Sequence, residues 1–339
     1  MKGTGKPILK TEGTGVLPDS ILEWMRGELE RVDEEIRKNL NSNVPIISAI
    51  VEHLLQSGGK RLRPLLLILS AKLCGYQGRE HIPMASLIEF IHTATLLHDD
   101  VVDHAELRRG IESANSKWGN EACVLVGDFL FTRSFSLMVE NGNPKILHTI
   151  SKATTLMAEG ELEELIRTND LTLTEEDYLS IITRKTAVLF SAASRIGAIL
   201  GRVDEEKEKA LSDFGMDFGV AFQLIDDALD YTSREEEFGK RIGIDLQDGK
   251  VTLPLIYTLR YCHPEEKAYI EKVIESDPIE KSSFLQVVRI IEKYKGLDYT
   301  YQRARQYIEK AKEDLLPFSS SAEKEALLLL SDYVLERKL

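Results

Sequence analysis

Apolar positions along the chain recur at helical spacing, and turn-forming residues cut the pattern into segments. From Pro18-Asp19-Ser20 a helical pattern runs to about Leu40, with Asp19 or Ser20 placed to cap its first turn. A second helix follows Pro45 and stops at Ser57-Gly58-Gly59; Pro64 opens a third, which Gly75 ends. Pro83 opens a long apolar helix that runs into Asp99 and Asp100. The next segment, about Lys117–Glu140, closes at Asn141-Gly142-Asn143-Pro144. Helices then run from Pro144 to Arg167 and from Thr174 to Leu200, with Thr174 and Asp177 spaced as a capping box and Gly201 at the C-cap position. No proline falls between Pro144 and Pro254, as long unbroken helices require. The C-terminal third reads as shorter helices, the last capped by Ser320 and Glu323. Alternating Val/Ile/Thr runs are absent, and no repeat of fixed period is visible. The expected fold is all-α: a single-domain bundle of long helices around a central cavity over residues 17–339, after a flexible Gly-, Thr- and Lys-rich arm at 1–16.

Composition narrows the choice of partners. Hydrophobic residues make up 43% of the 339, enough for a large core. With 56 acids against 43 bases the net charge is −13, which excludes a nucleic-acid surface and means that local bases or metal must attract any anionic substrate. Cys74, Cys123 and Cys262 are scattered, odd in number and free of metal-type spacing, as in a reduced cytoplasmic chain. The first residues lack the apolar core of a signal peptide, and no stretch reaches the roughly 18 apolar residues of a membrane span, so no transmembrane segment is expected.

The candidate chemistry lies in two acid clusters. IHTATLLHDDVVDHAELRRG (91–110) puts Asp99, Asp100 and Asp103 at the end of an apolar helix. Asp99 and Asp103 share a helix face, with Asp100 offset by about 100°. Carboxylates crowded in this way repel one another unless a cation lies between them, and oxygen-only ligands suit Mg²⁺. Arg108 and Arg109 follow as forked donors for diphosphate oxygens. A lone DDxxD is more often a solvated helix end. Residues 218–231, FGVAFQLIDDALDY, repeat the arrangement with Asp226, Asp227 and Asp230. Two such clusters on separate helices can face each other across a bundle core and clamp several Mg²⁺ ions.

With these pieces, and with GGKRLRP (58–64), GDFLF (127–131), RKTA (184–187) and GKRIGIDLQDGKVTLP (239–254), nearly the whole chain resembles the trans-polyprenyl diphosphate synthase family, long-chain type. The resemblance implies that an allylic diphosphate ionises, that its carbocation is attacked by the double bond of isopentenyl diphosphate, and that a proton is then lost. It implies Asp99, Asp103 and Asp226 as metal ligands, assisted by Asp100, Asp227 and Asp230. Arg108, Lys185 and Lys240 match the allylic-diphosphate contacts, with Arg241 and Lys250 close enough to share the role of Lys240. Lys60, Arg63, His92 and Arg109 match the isopentenyl-diphosphate contacts. Thr186 and Gln223 match positions whose dipoles face the developing cation. His104 and Ala105 stand where many relatives carry an acid. A homodimer joined through helices is implied, with the Lys117–Leu137 segment contributing.

Side-chain volume bears on product length. On the helix carrying DDVVD, Ala94 lies about 7.5 Å and Ile91 about 12 Å from Asp99 along the axis. Short-chain relatives carry a bulky aromatic near the position of Ala94; a methyl group there predicts an open tunnel, with Phe131 and Phe135 as a deeper floor. The expected product has roughly six to ten isoprene units, octaprenyl foremost, for a quinone side chain. The alternatives are a farnesyl or geranylgeranyl synthase, a catalytically silent subunit, a terpene cyclase, and an HD-type metal phosphohydrolase using His92, His98 and Asp99. The last would leave the second acid cluster and the lysines without a role.

Overall fold

The computed structural model describes residues 19–56, 58–108, 110–232, 243–276 and 278–337, so the expected arm at 1–16 lies outside the described residues. Helices α1 (Asp19–Asn39), α2 (Pro45–Gln56), α3 (Leu62–Leu73) and α4 (His81–Val102) are followed by a two-residue hairpin, β1 (Leu107–Arg108) with β2 (Ile111–Glu112). Then come α5 (Ala114–Trp118), α6 (Asn120–Asn141), α7 (Pro144–Ile166), α8 (Glu175–Ile182), a π-helical turn (Thr183–Ala187), α9 (Val188–Gly201) and α10 (Glu205–Asp230). The chain ends with α11 (Ile244–Gln247), α12 (Leu253–Tyr261), α13 (Pro264–Ile274), α14 (Lys281–Lys293), α15 (Gly296–Asp314) and α16 (Ala322–Glu336).

α4 is the central rod. Ala85, Leu87, Ile88, Ile91, Ala94 and Leu97 are fully buried, and they lie on more than one face. A helix apolar nearly all round has to be enclosed by others. It packs against α6, α3 and α1, while α10, the other long rod, packs against α9 and α15. The buried residues of all these helices join in one contiguous apolar cluster.

Several boundaries differ from the sequence expectation for local reasons. The third and fourth helices begin two residues before their prolines, since proline is tolerated throughout a first turn, where its missing N–H has no partner to lose. The segment expected as one helix over 117–140 breaks at Gly119 (φ 86°) into α5 and α6. Ser321, not Ser320, caps α16 by accepting from the Lys324 amide. The helix expected over 174–200 widens into the π turn where RKTA sits.

Glycine makes that π turn possible. A Cβ at Gly160 of α7 would come within 2.6 Å of the Lys185 amide nitrogen, and one at Gly219 of α10 within 2.6 Å of the Ala187 Cα. Both neighbouring helices therefore approach the widened turn closely. By length and composition α6 is apolar enough to cross a membrane, as a packed core helix can also be. In the fold it lies along α4, with Asp128 and Thr132 on its exposed side.

Candidate active site

Both acid clusters lie at helix C-termini. Asp99 and Asp100 are in the last turn of α4, with Asp103 as its C-cap, and Asp226, Asp227 and Asp230 close α10. The carbonyls of a final turn carry the negative end of the helix dipole, so carboxylates are disfavoured there without positive charge nearby. Asp99, Asp226, Asp227 and Asp230 line one cavity of about 1170 Å³, together with Lys60, Arg63, His92, Arg108, Lys185, Thr186 and Gln223.

In the first cluster the partners are cations. Asp100 is 1% exposed and does not line the cavity; it accepts from Arg108 Nε at 2.8 Å and Nη2 at 2.6 Å. The hairpin β1–β2 brings the arginine back onto the helix end. Asp103 pairs with Lys250 Nζ at 2.9 Å. Burial, aided by the negative charge of Glu161, pushes the Asp99 carboxyl up to about 7, against the pull of Lys185 and Arg108.

In the second cluster the buried Asp227 is held by neutral donors. Asp227, 5% exposed, accepts from the buried Tyr178 hydroxyl and from Gln223 Nε2 at 2.7 Å. Gln223 in turn accepts from the Thr186 hydroxyl at 2.9 Å, so the two expected dipolar residues form one hydrogen-bonded chain with an acid. Burial raises the Asp227 carboxyl to about 7, and the two side-chain bonds restrain that rise. Asp230 accepts from the Asp245 amide at 3.2 Å. Asp226 forms an ion pair, 2.7 Å to Arg337 Nη2; burial raises its carboxyl, and Arg337, Lys60 and Arg63 oppose the rise.

The bases occupy separate walls. Arg63 Nη1 donates to His92 Nε2 at 3.2 Å, its guanidinium lies 4.2 Å from the Phe190 ring centroid, and Lys60 sits 5.0 Å over Tyr333. On the wall formed by α7 and the π turn, Lys185 Nζ binds Glu161 at 2.8 Å and also Glu164. Burial opposes the charge of Lys185, but Glu164, Asp99 and Glu161 more than reverse this and hold the ammonium well above its ordinary range. Lys250 is held high in the same way, by Glu164 and Asp103 against burial. Arg109, Lys240 and Arg241 lie outside the described residues.

The tunnel expectation changes by one residue. Ala94 is fully buried and does not line the cavity, whereas Thr95 does, because Thr95 and Asp99 share a face at i,i+4 spacing. Phe131 lines the cavity and stacks on His98 with ring centroids 5.9 Å apart. Phe135, expected beside it, is 46% exposed and faces away. Glu161, Glu164, Tyr178, Asp245 and Arg337 were not among the expected site residues. Four acids in the run EGELEEL look like a solvated face, and their only sequence signal is Gly160, which marks a close helix approach.

The donor set fits a hard divalent cation: carboxylates only, at negative helix ends, with Asp99 desolvated among like charges. Among the described residues no three acid, histidine or cysteine side chains already converge as a ligand set. A metal ion would therefore exchange with the cations that now neutralise the acids.

Comparison with known proteins places this architecture. The polyprenyl synthetase family model matches residues 44–291. The chain belongs to that family, whose members are prenyltransferases that make polyprenyl diphosphates. It is 40% identical over 319 residues to octaprenyl diphosphate synthase of Haemophilus influenzae, covering 94% of this chain and 97% of that one. It is 41% identical to the Escherichia coli enzyme of the same name, covering 94% and 98%. A Caulobacter crescentus polyprenyl synthase, crystallised with calcium and isoprenyl diphosphate, superposes with a TM-score of 0.92 at 42% identity, covering 97% of this chain and 100% of that one.

Proposed function

We propose that this chain is a Mg²⁺-dependent, long-chain trans-polyprenyl diphosphate synthase whose product is octaprenyl diphosphate, for a quinone side chain. The reading includes a cytoplasmic homodimer and a single catalytic domain over 17–339. One observation carries it: two acid clusters face one cavity, with two sets of bases on different walls. A reaction between two diphosphates needs this separation, since both anions must be held while only one ionises.

Asp99, Asp103 and Asp226 hold the metal, with Asp100, Asp227 and Asp230 behind them; when bound, Mg²⁺ supplies Lewis-acid neutralisation of the leaving diphosphate. Arg108, Lys185 and either Lys240 or Lys250 bind and orient the allylic diphosphate. Lys60, Arg63, His92 and Arg109 hold isopentenyl diphosphate. The Thr186 hydroxyl and the Gln223 amide present dipoles to the cationic carbon and are too weakly nucleophilic to trap it. The departed diphosphate takes the proton from the condensed product.

Thr95 replaces Ala94 as the near wall of the chain's path, and Phe131 on His98 is the next barrier. The cavity exceeds the roughly 300–1,000 Å³ of ordinary ligand pockets, as a long polyprenyl chain requires. The exposed Leu125, Phe135 and Val139 on α6 support the homodimer contact. The test is incubation with labelled isopentenyl diphosphate, an allylic primer and Mg²⁺, followed by reversed-phase chromatography of the dephosphorylated products. Octaprenol is the expected main peak, Thr95→Tyr should shorten it and Phe131→Ala should lengthen it. A wild-type end product of farnesol or geranylgeraniol would overturn the long-chain reading.

A further inference from the structure

Every described cation on the allylic wall is already engaged by an acid of the chain itself. For Arg108 and Lys250 the partners, Asp100 and Asp103, belong to the first acid cluster. Lys185 differs. Its partners, Glu161 and Glu164, lie on α7 outside both clusters, one turn apart; Glu161 lines the cavity and Glu164 a smaller pocket on the other side of Lys185. Glu163 between them turns away and pairs with Arg184. Gly160 allows this geometry by bringing α7 against the Lys185 backbone.

The ammonium is therefore held by two carboxylates that a diphosphate has to displace, and that recapture it when the diphosphate leaves. The reaction gives such a device a use, because a chain-elongating site must shed one inorganic diphosphate per round before the grown allylic diphosphate can take its place. Resting on the function proposed above, we propose that Glu161 and Glu164 are positioning residues that compete with diphosphate for Lys185 and so set how readily inorganic diphosphate is released between rounds. Both carboxylates act only through the lysine and need touch no substrate.

Removing one of two competing charges should tighten anion binding, whereas damage to the fold would loosen it, so the sign of the change separates the two. Inorganic diphosphate is titrated calorimetrically into the full-length protein at saturating Mg²⁺, and its inhibition constant is measured in parallel. Glu164→Gln and Glu161→Gln are each expected to bind diphosphate about tenfold more tightly, the equivalent of one charge-assisted contact. The Michaelis constant for isopentenyl diphosphate should not change, and Glu163→Gln should behave as wild type. Unchanged or weaker diphosphate binding in both the Glu161→Gln and Glu164→Gln variants would overturn the proposal. A wild-type protein that binds no diphosphate with Mg²⁺ would overturn the functional reading itself.

Discussion

The two acid clusters look alike in sequence and are stabilised in different ways. At the end of α4, Asp100 and Asp103 are balanced by full positive charges, Arg108 and Lys250, brought in from a hairpin and from the segment after α11. At the end of α10, Asp227 is balanced by a phenol and an amide, Asp230 accepts from a backbone N–H, and Asp226 pairs with a cation, Arg337 from the far end of the described residues. Charged partners compete directly with an incoming metal ion, while neutral donors hold a carboxylate in place and leave its charge uncompensated. Asp100 and Asp103 are thus arranged to exchange partners, and Asp227 to stay put and wait for a cation.

The largest test asks whether the two are equally necessary. Asp99→Ala and Asp226→Ala should each lower turnover by about a thousandfold, comparable to losing several kcal/mol of charge stabilisation at the leaving group. The helical circular-dichroism signal should persist, since neither change removes core packing. Near-normal condensation in either variant would mean that one cluster suffices and that the pairing has no catalytic meaning.

A second test probes the cations. Asp100 is buried, so Arg108→Gln strands a charge and should cost roughly 2–3 kcal/mol by denaturant titration, the low side for a broken buried pair because the arginine is partly exposed. The Asp226 side chain is 34% exposed, and Arg337→Gln should cost less, about 1 kcal/mol. Equal losses would remove the distinction between the clusters.

That distinction was only half legible in the sequence. Apolar periodicity with proline and glycine stops gave the helices, because those signals act locally. The acid clusters were visible because three carboxylates after an apolar run have few structural uses. Glu161, Glu164, Tyr178 and Arg337 were not visible, because each acquires its role only when a distant helix packs beside it: Tyr178 meets Asp227 from α8, and Arg337 meets Asp226 from the chain end. The shift from Ala94 to Thr95 arose for a different reason. Distance along the helix axis alone points to Ala94, but a rotation of about 100° per residue decides which side chain faces the cavity.

Proton linkage offers a third comparison. Asp99 and Asp227 both have folded-state values raised to about 7 from the ordinary carboxylate range. A carboxyl raised by folding binds its proton more tightly in the folded state. Its stabilising contribution is complete below about pH 4 and is lost as pH climbs through about 7. In EDTA the protein should therefore unfold more easily at pH 8 than at pH 6, each group contributing on the order of 1 kcal/mol. Mg²⁺ binds only the ionised form, so it should stabilise more at pH 8 than at pH 6. Asp99→Asn and Asp227→Asn should each remove part of the EDTA slope; a slope unchanged in both would show that neither carboxyl carries the linkage.

The smallest effect isolates the neutral donors of the second cluster. Tyr178→Phe deletes one hydroxyl at a site where both partners are nearly inaccessible to water, while Gln223 goes on donating to the same carboxylate. The stability cost should be about 1 kcal/mol, that of one net hydrogen bond. The more telling readout is direction. The tyrosine bond lowers the Asp227 pKa, so its loss should let that carboxyl rise further, moving the midpoint of the metal-free pH–stability curve to higher pH. Arg108→Gln should do the same for the first cluster, because the arginine's charge lowers the Asp99 pKa, and high salt should blunt only that case. A hydrogen bond between uncharged phenol and carboxylate is short-ranged and hardly screened, whereas the influence of Arg108 on Asp99 is a charge–charge effect. If the Tyr178→Phe shift faded with salt as the Arg108→Gln shift does, Asp227 would be governed by remote charges, and the contrast between a cation-held cluster and a donor-held one would not stand.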